Sequence, residues 1–270
     1  MDYLQYMRLD KMPHIWCDGC GHGIILKSIL RSIDKLGWDK NDIAMVSGIG
    51  CSSRTPGYVD FNTLHTTHGR ALAFATGLKI ANPRLHVIVV SGDGDATAIG
   101  GNHFIHAARR NIDVTMIIYN NYIYGMTGGQ VSPTTPSRKK ASTAPYGNPD
   151  EPFDISRLAK AAGAAYVARS TVYHVGRTDK YIGQALSKTG FSVVEVLTPC
   201  PTSYGRRNKE GTAVDMMMAQ KANSVGLERT KNMSEEELEG KIITGVFVDK
   251  DQKSYLTRYN EVVEQARNAK

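Results

Sequence analysis

Short runs of β-branched residues alternate along the chain with longer stretches that have helical periodicity. Residues 86–91 and 114–119 have the composition of strands buried on both faces, and residues 99–110 between them have the pattern of a helix. The order strand, helix, strand predicts a βαβ unit with parallel strands. The same patterns predict strands at 43–47, 165–168 and 191–197 and helices at 24–36, 71–80 and 155–163. We therefore expect an α/β fold with a parallel, doubly wound sheet.

Polar residues follow both strands of this βαβ unit at the point where each strand ends. Gly92-Asp93-Gly94-Asp95 comes after the first strand, and Asn121 comes after the second. Ligands of open parallel sheets bind beyond the carboxyl ends of the strands, so Asp93 and Asn121 are expected to converge there. A glycine turn with two acidic residues is a poor phosphate site unless a cation lies between them, and oxygen ligands of this kind suit Mg²⁺. The pattern predicts a metal-bridged diphosphate.

Three other interpretations of this glycine turn differ in what they require. A dinucleotide-binding fingerprint needs a third glycine three residues after Gly94, where Thr97 stands. A Walker loop needs Gly-Lys-Ser or Gly-Lys-Thr, and the turn has neither. A tight turn whose aspartate only caps the following helix needs nothing beyond what is present, so this interpretation stays open at this point.

The turn and Asn121 together resemble the thiamine diphosphate motif, in which Gly-Asp-Gly is followed about one βα length later by asparagine. In that family the aspartate and the terminal asparagine bind the metal through their side chains, and the residue two positions further contributes its carbonyl oxygen. The resemblance implies that Asp93, Asn121 and Ile123 hold Mg²⁺. It indicates the cofactor class and leaves the substrate open.

The four cysteines of the chain lie next to predicted strands and helices. Cys51 and Cys200 follow strands, and Cys17 and Cys20 lie in a turn that precedes a helix. If the sheet is parallel, all four can gather at one end of the fold. Disulfides are disfavoured because the chain is not short and has no secretory segment. One Cys-x-x-Cys pair with two distant cysteines is common in [4Fe–4S] sites, and structural zinc remains the alternative.

The diphosphate motif and the cysteines together resemble the β subunits of the 2-oxoacid:ferredoxin oxidoreductases. The resemblance covers residues 13–205. Its motifs are Trp16-Cys17-Asp18-Gly19-Cys20-Gly21, Gly48-Ile49-Gly50-Cys51-Ser52, His68-Gly69-Arg70-Ala71, Gly92-Asp93-Gly94-Asp95 and Asn120-Asn121-Tyr122-Ile123-Tyr124-Gly125-Met126-Thr127. Residues 64–121 look most like the 2-oxoglutarate branch. The resemblance implies a parallel sheet of the thiamine diphosphate-binding type.

The resemblance also implies which residues form the site. The ligand positions of the family's [4Fe–4S] cluster are all occupied by cysteine here, at Cys17, Cys20, Cys51 and Cys200. The residues expected to bind or line the thiamine diphosphate are Ile49, Gly50, Cys51, Ser52, His68, Gly92, Gly94, Asp95, Asn121, Gly125 and Met126.

Two basic residues are candidates for contact with the substrate. The family commonly has a basic residue three positions after Cys51, where Arg54 stands, and arginine can bind a carboxylate through two parallel hydrogen bonds. His68 precedes the predicted helix at 71–80, and a helix N-terminus favours anions. The structural alternatives are that Arg54 caps a loop or pairs at a subunit contact, and that His68 is only a hydrogen-bonded cap.

The implied reaction is the reversible, coenzyme A-dependent oxidative decarboxylation of 2-oxoglutarate to succinyl-CoA and CO₂, with electrons passing through the cluster to ferredoxin. Thiamine diphosphate, Mg²⁺ and the [4Fe–4S] cluster are the implied cofactors. Pyruvate or a branched-chain 2-oxoacid remains open as the substrate, as does a non-oxidative thiamine diphosphate decarboxylase subunit. Thiamine enzymes take a glutamate from a second domain, so we expect an α subunit to supply it. The family also leaves room for further cluster-bearing subunits.

The formal charge of +7 favours acidic partners such as ferredoxin. A basic nucleic-acid-binding protein with structural zinc is the competing class, but the basic runs at 138–140 and 206–207 are short and lack interleaved aromatic residues. No apolar run approaches membrane-spanning length, and residues 1–13 lack the apolar core of an export signal. We expect a cytoplasmic protein that binds neither nucleic acid nor membrane.

The chain is less regular after the cofactor motif. Residues 132–152 are rich in Pro, Ser, Thr and Gly, and we expect them to form an ordered loop over the site. The expected division is a thiamine diphosphate-binding domain with its iron–sulfur site at 1–205 and a C-terminal extension at 206–270. Helical patterns at 212–224 and 254–269 lead us to expect that the extension serves subunit contact.

Overall fold

The computed structural model describes residues 2–269, and the predicted α/β fold with a mainly parallel sheet is confirmed. The strands of this part are β1 (Ile43–Ser47), β2 (Asn62–His65), β3 (His86–Gly92), β4 (Thr115–Asn120), β5 (Ile123–Tyr124), β6 (Gln130–Val131), β7 (Tyr166–Thr171), β8 (Ser192–Leu197), β9 (Ser224–Gly226) and β10 (Ile242–Asp249). Eight of them form one sheet in the order β2-β1-β3-β4-β8-β7-β10-β9, and β5 pairs with β6 separately.

The helices of the same part are α1 (His22–Leu36), α2 (Thr55–Tyr58), α3 (Ala71–Ala81), α4 (Gly101–Arg110), α5 (Ile155–Ala161), α6 (Val175–Ser187), α7 (Arg206–Asn208), α8 (Ala213–Asn223), α9 (Glu235–Leu238) and α10 (Tyr255–Asn268). Single π-helical turns at Asp95–Ile99 and Pro201–Gly205 follow the glycine turn and Cys200. Such turns are frequent at functional sites. Within residues 2–269, no helix combines the length and the apolar character needed to cross a membrane.

Both faces of the sheet are covered by helices, which explains why the strands are continuously apolar. In β4, Ile117 packs in a core with Ile29 of α1 and Ile182 of α6. Its neighbour Ile118 points to the opposite face and packs in a second core with Phe104 of α4. Because successive side chains of a strand alternate between faces, a doubly wound sheet needs apolar residues at both.

Two features differ from the expectations. The helix predicted at 99–110 begins at Gly101, because the chain first makes the π-helical turn after Asp95. The C-terminal extension contributes β10 to the main sheet, and β10 runs antiparallel to β7. The extension therefore continues the sheet across the expected division at 205. Its expected role in subunit contact stays a prediction.

Candidate active site

The carboxyl ends of β1, β3 and β4 open into one cavity. Every residue expected to line the thiamine diphosphate forms part of its wall, together with Asp93 and Ile123. The wall also contains four residues that the sequence motifs did not identify as site residues, namely His22, Tyr119, Tyr124 and Thr127. The structure thus gathers segments near residues 50, 68, 94 and 123 at one place, as the parallel strand order predicts.

The Asp93 carboxylate lies in the floor of this cavity and is buried, with 2% of its surface exposed. Its Oδ2 atom accepts hydrogen bonds from the Ser132 hydroxyl at 2.5 Å and the Thr134 hydroxyl at 2.6 Å. Burial nevertheless raises the pKa of Asp93, because these two hydroxyls do not fully replace water. A cation at Oδ1 would offset the remaining cost of the charge.

The other two expected magnesium ligands lie at the turn that follows β4. Tyr122 has a left-handed backbone with φ of 65°, which reverses the chain direction between Asn121 and Ile123. The Asn121 Oδ1 atom accepts a hydrogen bond from the Ile123 amide at 3.3 Å. A carboxylate, an amide oxygen and a backbone carbonyl are therefore available at one wall, and this donor set fits a magnesium diphosphate.

Gly94 is required by a close approach of two chain segments. A Cβ atom at this position would lie 2.4 Å from the Tyr124 ring, so any larger residue would have to displace that ring. The Tyr124 hydroxyl donates a hydrogen bond to the Gly94 carbonyl at 3.0 Å. This contact fixes the glycine turn against the segment that carries Ile123.

The Asp95 carboxylate organises the opposite wall. Its Oδ2 accepts from the Ser91 hydroxyl at 2.6 Å, and its Oδ1 accepts from the Gly69 amide at 2.7 Å. The same Oδ1 accepts a very short hydrogen bond from Nδ1 of His68. Asp95 is buried, whereas 37% of the His68 side chain is exposed. His68 is therefore held by one ring nitrogen, and its Nε2 is left for a ligand.

Arg54, a predicted substrate residue, does not line the cavity that contains Asp93, nor the cavity that contains the cysteines. It is exposed, in the helical turn that follows Cys51. The positive charge of Arg54 acts on His65. Burial is the main cause that lowers the pKa of this histidine, and the charge of Arg54 lowers it further. The contact between Arg54 and substrate stays a prediction.

A second cavity contains all four cysteines in its wall. They are free thiols: Cys17 is exposed, Cys20 and Cys51 are partly buried, and Cys200 is buried. Burial, and then the neighbouring cysteines, raise the thiol pKa values of Cys20 and Cys51 to about 11. These two thiols therefore resist ionisation, and a cationic iron–sulfur core would favour their thiolate forms, so the donor set fits a cluster.

Backbone contacts bring the cysteine segments together. The Trp16 indole donates to the Cys51 carbonyl at 2.7 Å, and the Thr198 hydroxyl donates a very short hydrogen bond to the Cys20 carbonyl. Gly19 has a φ of +74°, and a Cβ there would lie 2.2 Å from the Ala213 side chain of α8. Among residues 2–269, no three His, Cys, Asp or Glu side chains surround a single point as ligands of one metal ion. The cysteines instead line a cavity.

The two cavities share part of their walls. Cys51, Asn121, Gly125, Met126 and His22 line both. A Cβ atom at Gly125 would lie 3.4 Å from the Cys200 sulfur and 3.7 Å from the Cys51 sulfur. At Gly125, where no side chain intervenes, the cysteine cavity therefore lies directly beside the cavity that contains Asp93.

Comparisons with known proteins agree with this geometry. A family model described as thiamine pyrophosphate enzyme, C-terminal TPP binding domain, matches residues 48–196. The chain is 52% identical over 265 residues to the 2-oxoglutarate synthase subunit KorB of Methanocaldococcus jannaschii, covering 98% of each chain. It is 58% identical over 201 residues to KorB of Archaeoglobus fulgidus, covering 74% of this chain and 75% of that relative.

A solved structure is similar over the same extent. It is the 2-oxoglutarate:ferredoxin oxidoreductase from Magnetococcus marinus with 2-oxoglutarate, coenzyme A and succinyl-CoA bound. The TM-score is 0.87 at 34% sequence identity, covering 98% of this chain and 91% of that chain. Motifs, fold and relatives thus agree, and the predicted family is confirmed: this chain belongs to the β subunits of the 2-oxoacid:ferredoxin oxidoreductases, in the branch of the 2-oxoglutarate synthase KorB subunits.

Proposed function

We propose that this chain is the β subunit of a 2-oxoglutarate:ferredoxin oxidoreductase and carries the cofactor-binding half of its active site. The observation that carries the proposal is the wall shared by the Asp93 cavity and the four-cysteine cavity. A cofactor bound at Asp93 would lie beside its electron acceptor. A non-oxidative decarboxylase transfers no electrons and has no use for this arrangement, so the geometry favours the oxidative reaction.

The net reaction breaks the bond between C1 and C2 of 2-oxoglutarate. CO₂ leaves, the remaining succinyl carbon forms a thioester with coenzyme A, and the released electron pair passes singly to ferredoxin. When bound, thiamine diphosphate supplies the nucleophile and the electron sink, and a [4Fe–4S] cluster accepts the electrons one at a time.

The residues of this chain position these groups and handle protons. Asp93 and Asn121 through their side chains, and Ile123 through its carbonyl, would hold the magnesium of the diphosphate. His68 lines the cavity, and its Nδ1 is held by Asp95, which leaves Nε2 as the ring nitrogen for a ligand. It can therefore take or return a proton at Nε2 without turning its ring. The Cys17, Cys20, Cys51 and Cys200 thiolates would hold the cluster.

An α subunit would close the cavity. Large apolar side chains are exposed around its mouth and on the adjoining helices: Ile49 and Met126 are each 47% exposed, Phe74 is 48% exposed and Ile99 is 50% exposed. Large apolar side chains exposed near a cavity favour a protein contact there. The contact would bring the activating glutamate to the cavity, so this chain alone should be inactive.

The C-terminal extension is proposed to contact the α subunit, and the variant that tests this must leave the sheet intact. Deleting the chain from Lys231 onward would remove β10 and expose β7, so failed assembly would not distinguish lost contact from misfolding. Charged substitutions of the exposed α10 residues Tyr259 and Val262 leave the sheet intact. We expect them to weaken α-subunit association without lowering the thermal stability of this chain; unchanged assembly would exclude α10 from the interface.

The decisive experiment is an anaerobic reduction assay on the reconstituted αβ complex. Ferredoxin reduction is measured with 2-oxoglutarate, pyruvate and a branched-chain 2-oxoacid, each with and without coenzyme A. We expect coenzyme A-dependent reduction with 2-oxoglutarate and succinyl-CoA as the product. Equal or faster reduction with pyruvate would reassign the substrate, and release of an aldehyde without ferredoxin reduction would exclude the oxidative function.

A further inference from the structure

A set of buried polar residues lies beneath the glycine turn and takes no direct part in the proposed reaction. Its members are Thr134, Asn120, Glu195 and Arg169, and each is at most 8% exposed. Three of them interrupt strands that are otherwise apolar or small: Asn120 ends β4, Glu195 lies in β8 and Arg169 lies in β7. Buried polar groups at such places are costly unless hydrogen bonds satisfy them.

The first link of this set joins the metal-ligand aspartate to β4. The Thr134 hydroxyl donates to Asp93 Oδ2 at 2.6 Å, and the same proton has Asn120 Oδ1 at 3.0 Å as its second, longer acceptor. Asn120 Oδ1 also accepts the Tyr122 amide at 3.1 Å. The amide orientation of Asn120 is set from its other side, because its Nδ2 donates to Glu195 Oε1 at 2.8 Å.

The second link anchors Glu195. Its Oε2 accepts from Arg169 Nε at 2.7 Å and from the Ser156 hydroxyl at 2.8 Å. Arg169 also pairs closely with Asp154 and packs its guanidinium 5.2 Å from the centre of the Phe247 ring in β10. Both charges are therefore paired within the protein, and a buried pair with several hydrogen bonds has few alternative arrangements.

We infer that Thr134, Asn120, Glu195 and Arg169 form a positioning network that, together with the Ser132 hydroxyl on the same oxygen, fixes Asp93 Oδ2 and thereby presents Oδ1 to the magnesium of the diphosphate. This inference rests on the proposed function. In the proposed function, none of these four residues touches the metal or the substrate. Carboxylate ligands of metals are commonly oriented by hydrogen bonds from outer residues, and losing such a bond typically lowers metal affinity about 10- to 100-fold.

The test compares variants of this chain in the αβ complex. Thr134→Val replaces the bridging hydroxyl by a methyl group of similar size, and Thr134→Ser restores a hydroxyl. Glu195→Gln tests the far end of the network. Ser156→Ala is the matched control, because Ser156 donates to Glu195 Oε2, which Arg169 still binds, whereas the link toward Asp93 runs from Glu195 Oε1 through Asn120.

The readout is Mn²⁺ binding in the presence of thiamine diphosphate, measured from the electron paramagnetic resonance of free Mn²⁺. We expect Thr134→Val to weaken Mn²⁺ binding about 10- to 100-fold, with a smaller loss in Glu195→Gln. Thr134→Ser and Ser156→Ala should bind as the wild type does. Excess Mg²⁺ should restore turnover of Thr134→Val, which it would not do for a general folding defect.

The outcomes separate the inference from the proposed function. If the wild-type complex shows no thiamine diphosphate-dependent Mn²⁺ site, the metal-bridged cofactor itself is wrong. If the wild type has the site and Thr134→Val binds Mn²⁺ as tightly as Ser156→Ala, the positioning network is refuted and the function stands. Should Glu195→Gln fail to fold because Arg169 loses one of its two carboxylate partners, Thr134→Val alone decides.

Discussion

Asp93 and Asp95, on one side of the shared wall, accept hydrogen bonds from hydroxyl, amide and imidazole groups on several segments. On the other side, Thr202 is the residue within 2–269 whose side chain makes hydrogen-bond contacts to cysteine sulfur. Its Oγ1 lies 3.7 Å from the Cys17 sulfur and 4.0 Å from the Cys200 sulfur. The aspartates are thus surrounded by donors before any ligand arrives. The cysteines are held mainly through their backbone.

The difference follows from the chemistry of the two groups. A carboxylate is charged at neutral pH and can be buried only with donors around it. A thiol can stay neutral, and burial raises the pKa values of Cys20 and Cys51 to about 11, well above neutral pH. The aspartate site is therefore organised by the protein, whereas the cysteine site would take its final arrangement from the cluster proposed to bind there.

The largest effect should come from removing a cluster ligand. We expect Cys20→Ala in the complex to lose its iron and labile sulfide and to reduce ferredoxin only at background rate, because three thiolates leave one iron without its protein ligand. Binding of thiamine diphosphate and Mg²⁺, measured by calorimetry on the same variant, should stay at the wild-type value. If Cys20→Ala lost the binding of thiamine diphosphate and Mg²⁺ as well as its iron, the two sites would fold as one unit. The contrast between a preorganised aspartate site and a cluster-dependent cysteine site would then be wrong.

The next effect concerns His22, which lines both cavities. Burial lowers its pKa from 6.5 to about 4, so the imidazole is neutral in the folded chain. The unfolded chain takes up the proton first, so this contribution to stability is complete above pH 6.5 and is lost as the pH falls toward 4. The shift corresponds to roughly 3 kcal/mol.

Urea unfolding at pH 6.5 and at about 4 measures this loss. His22→Gln cannot take up the proton, so its free energy of unfolding should fall less than that of the wild type by roughly 3 kcal/mol over this range. The same fall in both proteins would show that the acid sensitivity arises from other groups.

A smaller effect is expected at Arg54, which neither cavity wall includes. If its guanidinium binds the distal carboxylate of the substrate, Arg54→Ala should raise KM for 2-oxoglutarate about 10-fold, the value of one charged hydrogen bond. Arg54→Lys keeps the charge and should show part of this rise. Unchanged kinetics with all 2-oxoacids would remove Arg54 from the site.

The smallest effect should be seen at Thr202, whose hydroxyl lies near two cysteine sulfurs. Hydrogen bonds to the sulfurs of a cluster stabilise its reduced form. We expect Thr202→Val to shift the midpoint potential of the cluster to a more negative value in a redox titration, with Thr202→Ser unchanged. Equal potentials in all three proteins would show that the cysteine site takes no support from this side chain.

Several parts of the fold and site followed from local sequence. The strands that end at Gly92 and Asn120, and the motifs that follow them, were predicted correctly because buried parallel strands have a distinctive composition and end at turns. The antiparallel strand β10 was not predicted, since it lies far along the chain in a segment without a clear alternating pattern. The charged residue Glu195 within an apolar strand is the one local signal of the buried network, and it does not specify which residues Glu195 contacts.

By itself, the sequence determined the cofactor class, the cysteine set and the order of strands, because each is encoded in residues close together along the chain or in strand ends that a parallel sheet brings to one edge. Only the tertiary structure decided that Ser132 and Thr134 serve Asp93, that Asp95 holds His68, and that Gly125 separates the two cavities. These contacts join residues between 27 and 75 positions apart. No local pattern specifies such pairings, since they depend on which loops the packed sheet places side by side.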